Sequence, residues 1–229
     1  MLILNIETSS NVGSVSLCKD AYCWIMKEEK ESGDHARQLT VFIEELMQTA
    51  KLSLKDLDAI AVSAGPGSYT GLRIGVSVAK GIAYTLKKPL IAVDTLKAIA
   101  YGVKLIDRPG PNDIIVSIQD ARRMDAYAAV YKSDLSVLKS PYFLTLETDS
   151  FLEFLPEYGR IFICGNAIEK YSTIVNHPSI IFSEVNCPSS RYMEQLSAEH
   201  YQQKKFEDLA YYEPFYMKPP NVTLPKNTL

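Results

Sequence analysis

The segment Gly65-Pro-Gly-Ser-Tyr-Thr-Gly71 sets three glycines and two hydroxyls between an apolar run, Ala59–Ser63, and a helical stretch that starts near Thr70. Strand, tight loop and helix start together make an anion cradle, because the first N–H groups of a helix have no partner inside it. Gly65, Gly67 and Gly71 supply permissive φ angles and close backbone approach, Pro66 fixes one dihedral, and Ser68 or Thr70 can cap the helix. Phosphate contact is the chemistry such a loop would do. A P-loop needs Lys-Ser or Lys-Thr after its last glycine, whereas Leu72-Arg73 follow Gly71 here. A nucleophile elbow needs Gly-x-Ser-x-Gly, and Gly67 directly precedes Ser68. The dinucleotide fingerprint comes closest: Gly65-x-Gly67 follows a strand, and a second strand, Leu90–Val93, ends in Asp94. Its third glycine falls one residue late. A turn with a helix cap and no ligand is an equally good reading.

Metal and thiol chemistry find no support. Cys18, Cys23, Cys164 and Cys187 include no Cys-x-x-Cys pair, and His35, His177 and His200 show no His-x-x-x-His spacing. With 229 residues, 47% hydrophobic and 22% charged, the composition is that of an ordinary globular protein of one large domain or two small lobes. A net charge of -3 argues against broad, autonomous binding to a nucleic-acid backbone. The first apolar run, Met1–Glu7, has neither a basic leader nor the length of a signal peptide, and no apolar stretch is long enough for a membrane span. The cytoplasm is the expected location, with no membrane partner.

The elements that must position the loop alternate. Residues 2–7, Val12–Lys19 and Ala21–Lys27 read as three strands of an antiparallel meander. A helix follows, with Leu39, Phe42, Ile43, Leu46, Met47 and Ala50 on one face. Then come the Ala59–Ser63 strand, the glycine loop, the Thr70–Leu86 helix and the Leu90–Val93 strand. A Rossmann domain does not normally open on a meander. A second block starts near Asp94: a helix from Thr95 to about Val103, strands at Ile114–Ile118 and Ala126–Tyr131, a helix at Glu147–Phe154, a strand at Arg160–Cys164, a helix at Ala167–Val175, a strand at Ile180–Phe182 and a closing helix from Ser189 to about Lys205. Both halves follow one loose plan, which suits two similar α/β lobes.

Glu7-Thr8-Ser9, the string Ser63-Ala-Gly-Pro-Gly-Ser-Tyr-Thr-Gly-Leu-Arg-Ile-Gly75, the turn Asp120-Ala-Arg-Arg-Met-Asp-Ala-Tyr127 and Cys164-Gly-Asn166 together resemble the TsaB family, formerly YeaZ. The resemblance runs from residue 1 to about residue 205. It implies an α/β actin-like ATPase fold of two ribonuclease-H-like lobes, here 1–94 and 95–210, with 211–229 as an extended tail. It also implies a member that lost catalysis and serves as a scaffold for TsaD, which transfers a threonylcarbamoyl group to the anticodon-adjacent adenosine of tRNA. The ATPase TsaE joins that complex. The chain would form a homodimer when alone and meet tRNA only through the complex, with no catalytic residue, metal or cofactor of its own. This chain carries Glu7 where the family usually has Asp, which makes metal–phosphate chemistry there less favourable still. Glu7, Gly65, Gly67, Ser68 and Thr70 then form a vestigial phosphate-proximal loop. The competing reading is an active actin-like kinase or another nucleotide-binding enzyme.

Such an enzyme needs carboxylates for Mg²⁺ and cationic or backbone donors for the phosphates. The candidates are Glu7, and Asp120 and Asp125 beside Arg122 and Arg123; these acids and arginines are expected to pair with one another. Arg73 opposes the dipole of its helix by about 0.3–1 kcal/mol, and Glu7 is the expected offsetting acid. The apolar positions of the Thr70–Leu86 helix cover roughly 200°, about twice what one core requires. Gly71, Gly75, Ala79 and Ala83 form a stripe of small residues on it that another helix could approach closely. The expected partner face, tipped by the family resemblance, comprises Leu39, Phe42, Ile43 and Leu46 with Tyr69, Gly71, Leu72, Arg73, Gly75, Val76, Ala79, Ile82 and Ala83.

Overall fold

The computed structural model describes residues 1–30 and 35–218; residues 219–229 of the expected tail lie outside the described residues. Strands β1 (Leu2–Glu7), β2 (Val12–Lys19) and β3 (Tyr22–Lys30) form the meander, followed by α1 (His35–Ala50), β4 (Ala59–Gly65), α2 (Tyr69–Leu86) and β5 (Leu90–Asp94). The sheet runs β3-β2-β1-β4-β5, with β1 antiparallel to β2 and parallel to β4. After α3 (Thr95–Ile106), the strands β6 (Ile114–Asp120), β7 (Asp125–Lys132), β8 (Val137–Thr145), β9 (Ile161–Cys164) and β10 (Ile180–Phe182) repeat that plan. Their order, β8-β7-β6-β9-β10, again has an antiparallel meander on one side and parallel strands on the other. Helix α4 (Ile168–Tyr171) is a single turn, and α5 (Glu194–Gln202) closes the described fold.

The strand period of two explains how one strand serves two cores. On β1, Leu4 and Ile6 face the cluster built with α1 and α2, while Ile3 joins the cluster between the sheets. Glu7, two steps on from Asn5 and four from Ile3, therefore points inward, not to solvent. The inner layer is filled by Leu96, Ile99 and Val103 of α3 and Leu196 of α5, packed against Ile91 and Val93 of one sheet and Ile115 and Phe162 of the other. Tyr171, fully buried, anchors a third cluster on the outer side of the second sheet.

Several expected elements change shape. The helix expected at Glu147–Phe154 is one 3-10 turn, Leu152–Phe154, because Phe151 takes a left-handed φ of 72° that no α-helix accommodates. The helix expected at Ala167–Val175 shortens to α4. There the Ser172 and Thr173 hydroxyls donate to the carbonyls of Glu169 and Lys170, competing with helical bonds. The closing helix splits into a 3-10 turn, Ser190–Tyr192, and α5. Strand β8 has no counterpart in the sequence reading. It is an edge strand with alternating exposure and an internal Pro141, a residue that only an edge tolerates.

Candidate ligand cleft and partner face

The ends of β1, β4 and β6 meet at one carbonyl. Ser9 O accepts from Ser68 N at 2.7 Å and from Gln119 Nε2 at 2.8 Å, joining the loop after β1, the glycine loop and the end of β6. That contact explains Gly67: a Cβ there would lie 2.4 Å from Ser9 O. Gly65 holds a φ of +99° and donates to Thr95 Oγ1 at 3.2 Å. Ser68, not Thr70, caps α2, accepting from Gly71 N at 3.3 Å. The loop opens on a cleft of about 850 Å³ lined by Ser9, Ser10 and Asn11, by Gly67–Thr70, by the 119–123 turn with Asp125 and Tyr127, by Asn166, and by Tyr216–Lys218.

The acids do not gather in that cleft. Glu7 is fully buried and accepts from Ser9 N at 2.5 Å, while its second oxygen has no partner among the described residues. Burial pushes its carboxyl above the ordinary value, against the lowering effect of the Ser9 hydrogen bonds. A carboxyl whose charged form burial disfavours, and which does not line the cleft, is poorly suited to hold Mg²⁺. Asp94, at the end of the second strand of the dinucleotide reading, caps α3 by accepting from Lys97 N at 2.7 Å, and Tyr131 donates to it at 3.5 Å. Among the described residues no group of three or more His, Cys, Asp and Glu is placed to hold a metal ion.

The raised Glu7 carboxyl predicts a pH signature. The fold binds this proton more tightly than the unfolded chain does, so the contribution to stability is complete below about pH 4.5 and declines as pH rises through the folded value. Glu7→Gln keeps an acceptor for Ser9 N and removes the titration. Its thermal midpoint is expected to gain on that of the parent chain as pH rises from about 4.5 to 7. A pH-independent difference would contradict the raised, buried carboxyl.

The 120–125 turn departs from expectation. Asp120 and Asp125 were expected to pair with Arg122 and Arg123, but lysines take both. Lys170 Nζ lies 2.6 Å from Asp120 Oδ1 and also donates to the carbonyls of Arg123 and Asp125, while Lys218 Nζ lies 3.3 Å from Asp125 Oδ2. The Thr145 hydroxyl, then Lys218, hold the Asp125 carboxyl below its usual range. Asn166 Oδ1 accepts from Asp120 N at 2.7 Å, which explains why Cys164-Gly-Asn166 stands beside this turn. Arg73 does not reach Glu7; its guanidinium lies 4.5 Å from the Tyr69 ring centroid, and Tyr69 in turn packs 4.7 Å from Tyr216. Lys170 and the tail aromatics were missed because their partners lie 45 or more residues away in the chain.

The expected partner face separates into two faces. Gly71, Gly75, Ala79 and Ala83 are buried against this chain's own sheet, so the small-residue stripe is not a surface. A Cβ at Gly71 would lie 2.0 Å from Thr8 O, and one at Gly75 2.2 Å from Thr8 Oγ1. Leu39, Ile43, Leu46, Leu72 and Val76 are likewise buried. The small residues let α2 settle onto the ends of β1 and β4, and this close packing within the chain is what their spacing encodes. Phe42, Tyr69, Arg73 and Ile82 keep solvent contact. With Ile82, the half-buried Ile74 and Val78 make an outward apolar line at every fourth residue, bordered by exposed Ser77, Gly81 and Tyr84. Ile74 and Val78 were present in the apolar arc, but only the position of Thr8 distinguishes its inner from its outer half.

Two duplicated sheets around a central helical layer, with strand ends converging on a cleft, define an α/β protein of the actin-like ATPase class. YeaZ from Pseudomonas aeruginosa superposes with a TM-score of 0.81 at 22% identity, covering 94% of this chain and 99% of that one. A putative N-acetylmannosamine kinase from Listeria monocytogenes reaches 0.50 at 10% identity, covering 90% and 100%. At these identities the likeness is one of fold. The family model described as "TsaD: tRNA N6-adenosine threonylcarbamoyltransferase" matches residues 29–220, well over half of the chain. The "tRNA threonylcarbamoyladenosine biosynthesis protein TsaB" of Escherichia coli (strain K12) is 33% identical over 138 residues, 58% of this chain and 56% of that protein. Its namesake in Buchnera aphidicola subsp. Acyrthosiphon pisum is 31% identical over 152 residues, 66% and 65%. The matches thus span less than two thirds of either relative's length. The chain belongs to the family that this model describes, and within it to the TsaB (YeaZ) members.

Proposed function

We propose that this chain is a non-catalytic scaffold subunit of the tRNA threonylcarbamoyladenosine synthesis system, which binds and stabilises TsaD and is joined there by TsaE. The observation that carries the non-catalytic part is Glu7: the carboxylate at the end of the first strand is fully buried, outside the lining of the cleft, and its burial disfavours the charged form that Mg²⁺ would need. The partner face is the outer line Ile74, Val78 and Ile82 with Phe42, Tyr69 and Arg73, and a second copy covers the same face when TsaD is absent. The side chains of Phe42, Ile74, Val78 and Ile82 sit half-buried at the rim of the cluster built with α1 and α2, and an apolar rim that still reaches solvent is the kind of surface a partner covers. The units 1–94, 95–210 and 211–229 are part of the same proposal, with α5 lying against the first sheet although it belongs to the second stretch. Among the described residues no helix is long and apolar enough to cross a membrane, which accords with work in the cytoplasm on tRNA.

Sedimentation of the chain with purified TsaD tests the reading: a stable complex is expected, with ATP turnover by the isolated chain no higher than a buffer blank. Steady turnover that vanishes in Glu7→Ala, together with micromolar nucleotide binding, would favour the kinase-like alternative.

A further inference from the structure

We propose that the mouth of the interlobe cleft contacts an RNA phosphodiester backbone through Arg122 and Arg123, with Arg73 beside the lining residue Tyr69; the choice of RNA among anions rests on the function proposed above. The charge arrangement around the β6–β7 turn carries the inference. The turn holds two aspartates and two arginines, and internal pairing would have neutralised it. Lysines from α4 and from the tail occupy both carboxylates instead. Arg122 and Arg123 are left exposed, with no carboxylate within ion-pair distance among the described residues. The net charge of the whole chain is -3, so two adjacent unneutralised guanidinium groups are a local exception, not a general surface property.

The opposite lip is aromatic, with a cation beside it. Arg73 is exposed, without a carboxylate partner among the described residues, and lies over Tyr69, which lines the cleft and packs on Tyr216. A guanidinium beside aromatic faces is suited both to phosphate and to base stacking. Between the lips Gln119, 1% exposed, leaves its Oε1 without a partner among the described residues. A strand laid across the mouth would meet Arg122 and Arg123 on one side and the Tyr69 and Tyr216 rings on the other. The guanidinium fork donates two parallel hydrogen bonds to phosphate oxygens, which lysine cannot reproduce.

The backbone supplies a clean variant. Arg122 and Arg123 hold φ values of 73° and 50°, a region where glycine is at ease and a branched side chain is not. Arg122→Gly with Arg123→Gly therefore removes the charge without harming the turn, and its melting temperature is expected to equal or exceed that of the parent. Labelled, unmodified tRNA transcript is titrated with the full chain alone from about 25 to 150 mM monovalent salt. The parent is expected to bind in the micromolar range at the low end and to weaken steeply with salt, as released counterions dictate. The double glycine variant should lose at least about tenfold in affinity, and its slope of log K against log salt should fall by about two, one for each lost phosphate contact. The double lysine variant keeps the charge but not the fork, so it should fall between the two in affinity while its salt slope stays near that of the parent.

TsaD pairing is measured separately by sedimentation. Failure of the parent to pair would sink the scaffold reading, while the titration on the chain alone still decides the RNA contact. No binding by the parent at low salt, or a glycine variant with unchanged affinity and slope, would overturn the proposal. Displacement of the RNA by AMP or ATP at equal phosphate concentration would do the same, by assigning the cleft to a mononucleotide.

Discussion

Gly75→Leu is expected to leave no cooperatively folded chain under conditions where the parent is stable. A Cβ at this position would lie 2.2 Å from Thr8 Oγ1 and 3.3 Å from Thr8 Cβ, and Thr8 is only 2% exposed between two residues that anchor the strand end. Extra methylenes in a packed interior cost about 1–3 kcal/mol. An isobutyl group driven into the end of β1 exceeds that range and consumes much of the ~5–15 kcal/mol that a domain typically has. Gly71→Ala is the milder test, since its single added carbon meets Thr8 O, a backbone atom that no rotamer change can move. A loss of roughly 4 kcal/mol, or about 8–16 °C in thermal midpoint, is expected for it. Thermal melts followed by far-ultraviolet circular dichroism would read both. Variants that melt like the parent but fail to associate would show instead that the stripe faces a partner.

Val78→Asp combined with Ile82→Asp should have the opposite signature. Both residues are half-buried at the rim of the cluster built with α1 and α2, so a carboxylate at each can still turn to water in the monomer, at a cost of about 1–2 kcal/mol each. In a covered interface the same two charges lose their hydration with no counter-charge on this helix face apart from Arg73. Central interface residues cost about 2 kcal/mol or more when removed, and desolvated charges cost further, so binding to TsaD or to a second copy should weaken at least about 100-fold. Sedimentation equilibrium gives the association constant and melting gives the fold. Unchanged association with a normal melt would move the interface elsewhere. Unfolding would mean that the outer line belongs to the core.

The first sheet was legible because its signals are local. Alternation marked the meander, the four-residue recurrence marked α1 and α2, and the Gly-Pro-Gly-Ser-Tyr-Thr-Gly string marked the loop; each needs only its own neighbours. The second half was legible where runs were apolar, as at Ile114–Ile118, and opaque where tertiary contacts overrode propensity, as at Phe151 with its left-handed φ and at edge strand β8. Pairing was the least legible feature. Nothing near Asp120 in the chain announces Lys170, and nothing near Asp125 announces Lys218, so the nearby arginines looked like their partners. The stripe on α2 was read correctly as a demand for close approach and wrongly as a demand from outside. Periodicity reports that something packs closely against a helix, while only the fold reveals that the neighbour is Thr8.

The central claim, a scaffold without chemistry of its own, is tested most directly by reconstituting threonylcarbamoyl transfer to tRNA with purified TsaD and TsaE, with and without this chain. Transfer is expected to require the chain, to proceed at the parent rate with Glu7→Gln, and to be lost with the Val78→Asp, Ile82→Asp pair. Transfer at full rate without the chain, or a Glu7→Gln variant that pairs normally with TsaD yet supports no transfer, would contradict it.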